Sequence, residues 1–447
     1  MDDLIFTNAS ILTENGIIKG SLAVKDGKIT AVGQVSGQGA KRTVNVGGKL
    51  IAPGLVDLHV HFREPGFTQK EDFLTGTRAA AAGGVTTVVD EPNNSPVTNS
   101  HETIEGKRWI IEGKAYVDYM LQMAVYADGL DEIKKAREAG IIAFPVFDEL
   151  GDRPTGMENT GVLYEALKRI KEVDGLALLN CRESDLVNKT MNGLKESGRN
   201  TLADYMDHFP HVAESLGGAK RILLAHDAGV RAHFREVSTT ETVQMIKLMK
   251  GYMGKITAEV RPDHLFLNYD NTKNLGPYAQ QWTPLRTKAD SDALWEALND
   301  GTVNVIASDH ATHAEEEKKR GADNIWKSPP GLPAIESMLS LLLTAVNEGR
   351  LGLERLFECA STNPAKVIGL YPRKGTIKVG SDADLVVIDR EKESVIRGEN
   401  AKTKTHWTPY EGWEVKGVPV ATYVRGIETY VDGEIVGEPG QGRFLGL

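Results

Sequence analysis

The middle of the chain switches repeatedly between short apolar runs and helical patterns, and that alternation restricts the fold more than any other feature. The runs at 85–89, 140–144, 176–179, 222–225, 256–260 and 303–307 are each four or five residues long and dominated by Val, Ile, Leu, Ala and Thr. Such runs suit strands covered on both faces. Helical patterns at 131–139 and 292–298 fall between them. Repeated strand–helix units imply parallel pairing through right-handed crossovers, and at this length they predict a (β/α)8 TIM-type barrel. The run at 222–225 is short enough to be a turn of buried helix instead.

Both chain ends are patterned differently. Residues 21–25 run through the turn Asp26-Gly27-Lys28 into 29–32, and 383–388 reads as a strand. Residues 428–431 then meet Asp432-Gly433 and continue as 434–436, a hairpin signature. The expected α/β architecture is therefore a barrel over 54–366 and a small composite β-sandwich domain built from 1–53 and 367–447.

Composition narrows the possible partners. With 52 basic and 62 acidic residues the net charge is -10, which argues against a nucleic acid or an anionic membrane. No apolar run approaches the ~20 residues of a membrane span. Met1-Asp2-Asp3-Leu4 lacks the layout of a signal peptide, and two cysteines among 447 residues make no disulfide framework. A soluble, cytoplasmic protein is expected.

Two stretches carry the chemistry. In His59-Val60-His61 the imidazoles stand two residues apart, so on a strand they point the same way. Asp309, after the run 303–307, brings a carboxylate to a second strand end. Two histidines and a carboxylate suit zinc, and three protein ligands leave a coordination position open.

These residues lie in longer motifs: His59-Val60-His61-Phe62-Arg63-Glu64-Pro65-Gly66, Ala79-Ala80-Ala81-Ala82-Gly83-Gly84-Val85-Thr86-Thr87, Glu91-Pro92-Asn93-Asn94, Pro284-Leu285-Arg286 and Ser308-Asp309-His310-Ala311-Thr312-His313. Together with Gly380-Ser381-Asp382-Ala383-Asp384-Leu385-Val386 they resemble the amidohydrolase superfamily, and within it the dihydroorotases, over almost the whole chain. The resemblance implies reversible, zinc-dependent hydrolysis of a small cyclic amide, dihydroorotate, in pyrimidine biosynthesis. It implies that Arg63, Asn93 and His313 bind the substrate carboxylate, and that Asp309 is both metal ligand and catalytic base. It further implies a homo-oligomer and, as in some members, association with aspartate transcarbamoylase.

The chain departs from the family pattern at the remaining metal ligands. Pro145 stands where a carboxylated Lys is usual, with Asp148 nearby; Asn180 or Cys181 falls where a His is usual; and Glu236 replaces a His before Val-Ser. Thr283 stands where an Asn would touch the pyrimidine. One zinc per chain is therefore expected, on His59, His61 and Asp309 with Glu236 as a further ligand. Two other functions fit the same residues. One is a non-catalytic dihydroorotase-like scaffold; the other is a hydantoinase- or allantoinase-like enzyme, with Trp282 reshaping the pocket. Structural roles are expected for His226, His233 and His264, and a solvated helix face for 315–320.

Overall fold

A computed structural model describes residues 1–35, 39–150, 153–253 and 256–447. Eight parallel strands form the barrel: Leu55–Val60, Val85–Asp90, Asp118–Leu121, Ala143–Val146, Leu176–Asn180, Arg231–Arg235, Thr257–Val260 and Val305–Ile306. They run as a group of three and a group of five, joined by single bridges between Gln122 and Ala143 and between Val60 and His310. Strand alternation sorts their side chains. Leu58, Val89, Met120, Ala143, Leu178 and Val305 fill the barrel, while Phe144, Val146, Ala177 and Leu179 pack outward among the helices.

The apolar run at 222–225 belongs to the helix His211–Ala228, not to a strand. Ile222 and Ala225 are buried there while Leu223 is exposed, the pattern of a helix lying on a core. Two barrel strands escape the sequence reading. Asp118–Leu121 is only four residues long, and Arg231–Arg235 carries two arginines and a histidine. The helical patterns at 131–139 and 292–298 fall within or around the helices Glu132–Glu138 and Lys288–Asp300.

A mixed nine-stranded sheet draws on both chain ends. Leu50–Pro53 pairs antiparallel with Leu385–Val395, which joins strands from the N-terminal end to the hairpin strands Glu414–Val424 and Ile427–Val431. Phe6, Ile11, Leu22, Ile51, Leu385 and Tyr423 form the core of this small β-sandwich. The chain enters the barrel through Gly54, where a Cβ would lie 2.3 Å from the Thr86 side chain. Among the described residues, no helix is long and apolar enough to cross a membrane.

Candidate metal centre

The C-terminal ends of the barrel strands converge on His59 and His61. His59 closes toward Glu259, which accepts from its Nδ1 at 2.7 Å, and this contact turns Nε2 inward. His61 is oriented likewise by Asn93, whose Oδ1 lies 2.9 Å from its Nδ1. With Nδ1–H committed in both rings, each Nε2 is free to offer a lone pair to the same point. Asp309 Oδ1 lies there, 3.4 Å from His59 Nε2 and 2.9 Å from His61 Nε2. Glu91 and Glu236 also bring a carboxylate oxygen within 4.8 Å of His59.

The electrostatics call for a cation at this point. Burial and the neighbouring Arg235 both work against a charged His59, yet Asp309 and Glu259 outweigh them and push its pKa up to about 9. Burial by itself would raise the Asp309 carboxyl, but His59, His61 and Arg261 hold it well below the ordinary range. A proton on His59 or a metal ion between the Nε2 atoms and Asp309 satisfies the same carboxylates. The donor set therefore fits a divalent metal.

Backbone conformation aims three of these groups. Arg63 (φ 59°), Glu236 (φ 58°) and Asp309 (φ 45°) all adopt the left-handed region, costly for residues with a Cβ. Such conformations gather where surrounding structure holds them for a purpose.

The replaced positions have distinct fates. Pro145 shares the inward face of its strand with Ala143 and offers no ligating atom. Asp148 is turned away, accepting from Arg221 Nη2 at 2.5 Å and Ser184 Oγ at 2.6 Å. Of the two residues left open on the fifth strand, Asn180 faces the centre and donates to Glu236 at 2.5 Å. Cys181 packs into the core beside Gly218, and burial pushes its thiol far up, so it supplies no thiolate. Glu236 is engaged by Asn180, by Thr283 Oγ1 at 2.6 Å and by Arg261 Nη1 at 3.1 Å.

Arg235 and Arg261 were not foreseen. Each follows or ends a barrel strand, which is the one signal that could have pointed to them. Arg235 pairs with Glu91 and donates to Asn180 Oδ1 at 3.2 Å. Arg261 Nη1 reaches Asp309 Oδ2 at 2.7 Å, and its Nη2 reaches Asp263 Oδ2 at 3.1 Å and the Thr283 carbonyl at 2.8 Å. His233 Nε2–H donates to Glu259 Oε2 at 3.0 Å, and His264 meets the carbonyls of Thr283 and Pro284. His226 lies near the C-terminal end of the helix His211–Ala228, before a barrel strand rather than after one.

Beside the centre lies a cationic recess. The Arg63 guanidinium is buried at 8 % exposure, its Nε has no hydrogen-bond partner, and among the described residues no carboxylate pairs with it. Its Nη2 lies 3.3 Å from His313 Nε2, and Lys70 Nζ lies 3.2 Å from His313 Nδ1. Burial, then Arg63 and Lys70, hold His313 well below the ordinary imidazole pKa, so it is neutral. Lys70, which also pairs with Glu317 at 3.2 Å, is a further group the sequence did not single out. Trp282 stands 43 % exposed with Arg182 stacked on its ring.

A (β/α)8 barrel that holds two imidazoles and a carboxylate at its strand ends defines a metal-dependent hydrolase. The Amidohydrolase family matches residues 50–436, and the chain belongs to that family. It is similar along its length to cyclic amidohydrolases. An L-hydantoinase of Paenarthrobacter aurescens is 31% identical over 457 residues, covering 100% of this chain and 98% of that protein. A dihydroorotase of Bacillus cytotoxicus is 37% identical over 429 residues, 94% of this chain and 97% of the relative. The solved L-hydantoinase (dihydropyrimidinase) of Arthrobacter aurescens superposes with a TM-score of 0.95 at 30% identity, covering 100% of both chains.

Proposed function

We propose that the chain is a dihydroorotase, hydrolysing the ring amide of dihydroorotate reversibly to N-carbamoyl-aspartate with one zinc per chain. The observation that carries this reading is Arg63. A buried guanidinium without a carboxylate of its own, flanked by Lys70 and His313, suits a substrate that brings a carboxylate with it. A ring without that group would leave the charge uncompensated.

In this reading His59, His61 and Asp309 hold the metal, which supplies Lewis acidity toward water and the scissile carbonyl. The Asp309 carboxylate takes the proton released as water adds to the carbonyl carbon, then returns it to the ring nitrogen as the C–N bond breaks. Arg63 binds the carboxylate with Lys70 reinforcing the charge, and His313 joins them once its Nε2–H turns from the Pro330 carbonyl, 2.9 Å away. Asn93 keeps its Nδ2 for the substrate while its Oδ1 orients His61.

A second reading has a specific basis. The full-length likeness to L-hydantoinases supports a ring that lacks the carboxylate. The non-catalytic scaffold, partnered by an aspartate transcarbamoylase, draws its support from Pro145 and Asn180. One experiment separates all three: zinc per chain by elemental analysis, beside hydrolysis of dihydroorotate, a hydantoin and dihydrouracil. Turnover confined to dihydroorotate supports the proposal. Turnover confined to the carboxylate-free rings sinks it, and neither zinc nor turnover leaves the scaffold.

A further inference from the structure

We propose that Arg261 is a built-in second cation of this site, and that its guanidinium restricts the chain to a single divalent ion. This rests on the reading that His59, His61 and Asp309 hold that ion.

The argument starts from charge. Glu91, Glu236, Glu259, Asp263 and Asp309 bring five buried carboxylates to the mouth of the barrel, and two buried guanidinium groups, Arg235 and Arg261, answer them. Three negative charges remain; one divalent ion leaves one of them over, and a second would turn the mouth positive. Geometry assigns the two arginines different tasks. Arg235 turns to Glu91 and Asn180, and leaves Asp309 alone. Arg261 lies at the centre: its Nη1 bridges Glu236 Oε2 at 3.1 Å and Asp309 Oδ2 at 2.7 Å. Any ion that used Glu236 together with Asp309 Oδ2 would have to displace that nitrogen. Nη2 is pinned by Asp263 and the Thr283 carbonyl, so displacement would break four hydrogen bonds of a fully buried group. Asp309 is thereby divided, with Oδ1 facing the histidines and Oδ2 committed to Arg261.

Arg261 is a positioning residue in this scheme, and the test reads metal rather than turnover. Apo-protein is titrated with Co²⁺, following the visible absorption of the bound ion, and stoichiometry is fixed by elemental analysis. The comparison covers wild type, Arg261→Lys, Arg261→Met and Arg261→Gln, with circular dichroism to confirm folding. Wild type and the lysine variant are expected to stop at one ion per chain. The methionine and glutamine variants are expected to bind the first ion at least about tenfold more tightly or to take up a second. Two ions in wild type overturn the proposal whatever the variants do. So does an unchanged single site, of unchanged affinity, in folded Met and Gln variants, since a purely structural arginine would behave that way. If no protein binds Co²⁺, the metal reading and this proposal fall together. If only the Met and Gln variants bind it, Arg261 excludes the first ion as well, and the single-ion proposal falls with the zinc reading.

Discussion

Arg63 holds a charge at 8 % exposure with no carboxylate paired to it among the described residues, and such a group trades stability for binding. Arg63→Met is therefore expected to raise the stability of the ligand-free protein by about 1–3 kcal/mol, read by denaturant unfolding. The same change should cut kcat/KM on a carboxylate-bearing ring by roughly 100-fold or more. A variant that loses stability and keeps its turnover would remove the basis for the carboxylate recess. Lys318 makes a related case through pH. The helix Glu315–Lys319 is not solvated on every side as expected. The Lys318 ammonium is fully buried, donates to the carbonyls of Pro329 at 2.9 Å and Gly331 at 3.3 Å, and forms no ion pair among the described residues. Burial, partly offset by Glu317, lowers its pKa from 10.5 to about 7. The unfolded chain thus binds the extra proton between those values, so stability from this group rises with pH from about 7 to 10.5 and its cost is complete below 7. Lys318→Met should raise the melting temperature clearly at pH 6 and little at pH 10, and an equal gain at both would discount the shifted lysine. At this scale the convergence of His59, His61 and Asp309 was legible because two spacings define it: i and i+2 at the end of one strand, and a carboxylate after another. Arg235, Arg261 and Lys70 were not legible, because their meaning lies in acceptors supplied by other strands and loops.

At the scale of elements, the helix His211–Ala228 explains both a misreading and a feature of the site. A four-residue apolar run carries no period of its own, so residues 222–225 match a buried strand as well as two faces of a helical turn. What fixes this segment as a helix on the barrel lies elsewhere along it. A Cβ at Gly217 would come within 2.2 Å of the Arg182 backbone, so the helix can lie against the loop after the fifth barrel strand only with glycine there. One turn on, Arg221 grips that loop through the Arg182 carbonyl at 2.5 Å and also holds Asp148. The contact anchors the loop that follows Asn180, and it draws Asp148 away from the metal centre. Gly217→Ala is expected to destabilise the fold by about 2 kcal/mol or more, because the clash is with backbone that cannot rotate away. Thermal melts of the alanine variant beside Gly193→Ala, at a helical glycine with open space around its Cβ, provide the check. A neutral Gly217→Ala would mean that the helix has freedom to retreat.

Across the whole molecule, the barrel and the end sheet are joined on the face opposite the metal centre by a buried charge cluster. Lys374 Nζ lies 2.5 Å from Asp118 at the start of the third barrel strand, 2.5 Å from Asp384 beside the end sheet, and 3.2 Å from Asp382. Arg425 pairs with Asp118 and gives its backbone N–H to Asp384 at 2.7 Å. The general plan of a barrel with a β domain from both termini was legible, since strand patterns at each end bracket an alternating middle. The join was not, because Asp118 and Lys374 are 256 residues apart and neither stands in a distinctive local pattern. The three carboxylates lie close enough to hold a metal, but the lysine ammonium already stands among them. Lys374→Met should therefore cost about 3–5 kcal/mol, the cost of stranding buried carboxylates rather than of losing attraction alone. Burial and the neighbouring Asp118 already raise the Asp384 carboxyl against the pull of Lys374, and the variant removes that pull. Its Asp384 then folds with a pKa further above the unfolded value, so stability is lost as pH climbs through that interval and recovered toward acid. The stability gap between wild type and Lys374→Met should be wide at pH 8 and narrow by pH 5 in urea titrations. A gap independent of pH would assign the loss to packing and leave the two units joined by their apolar contacts.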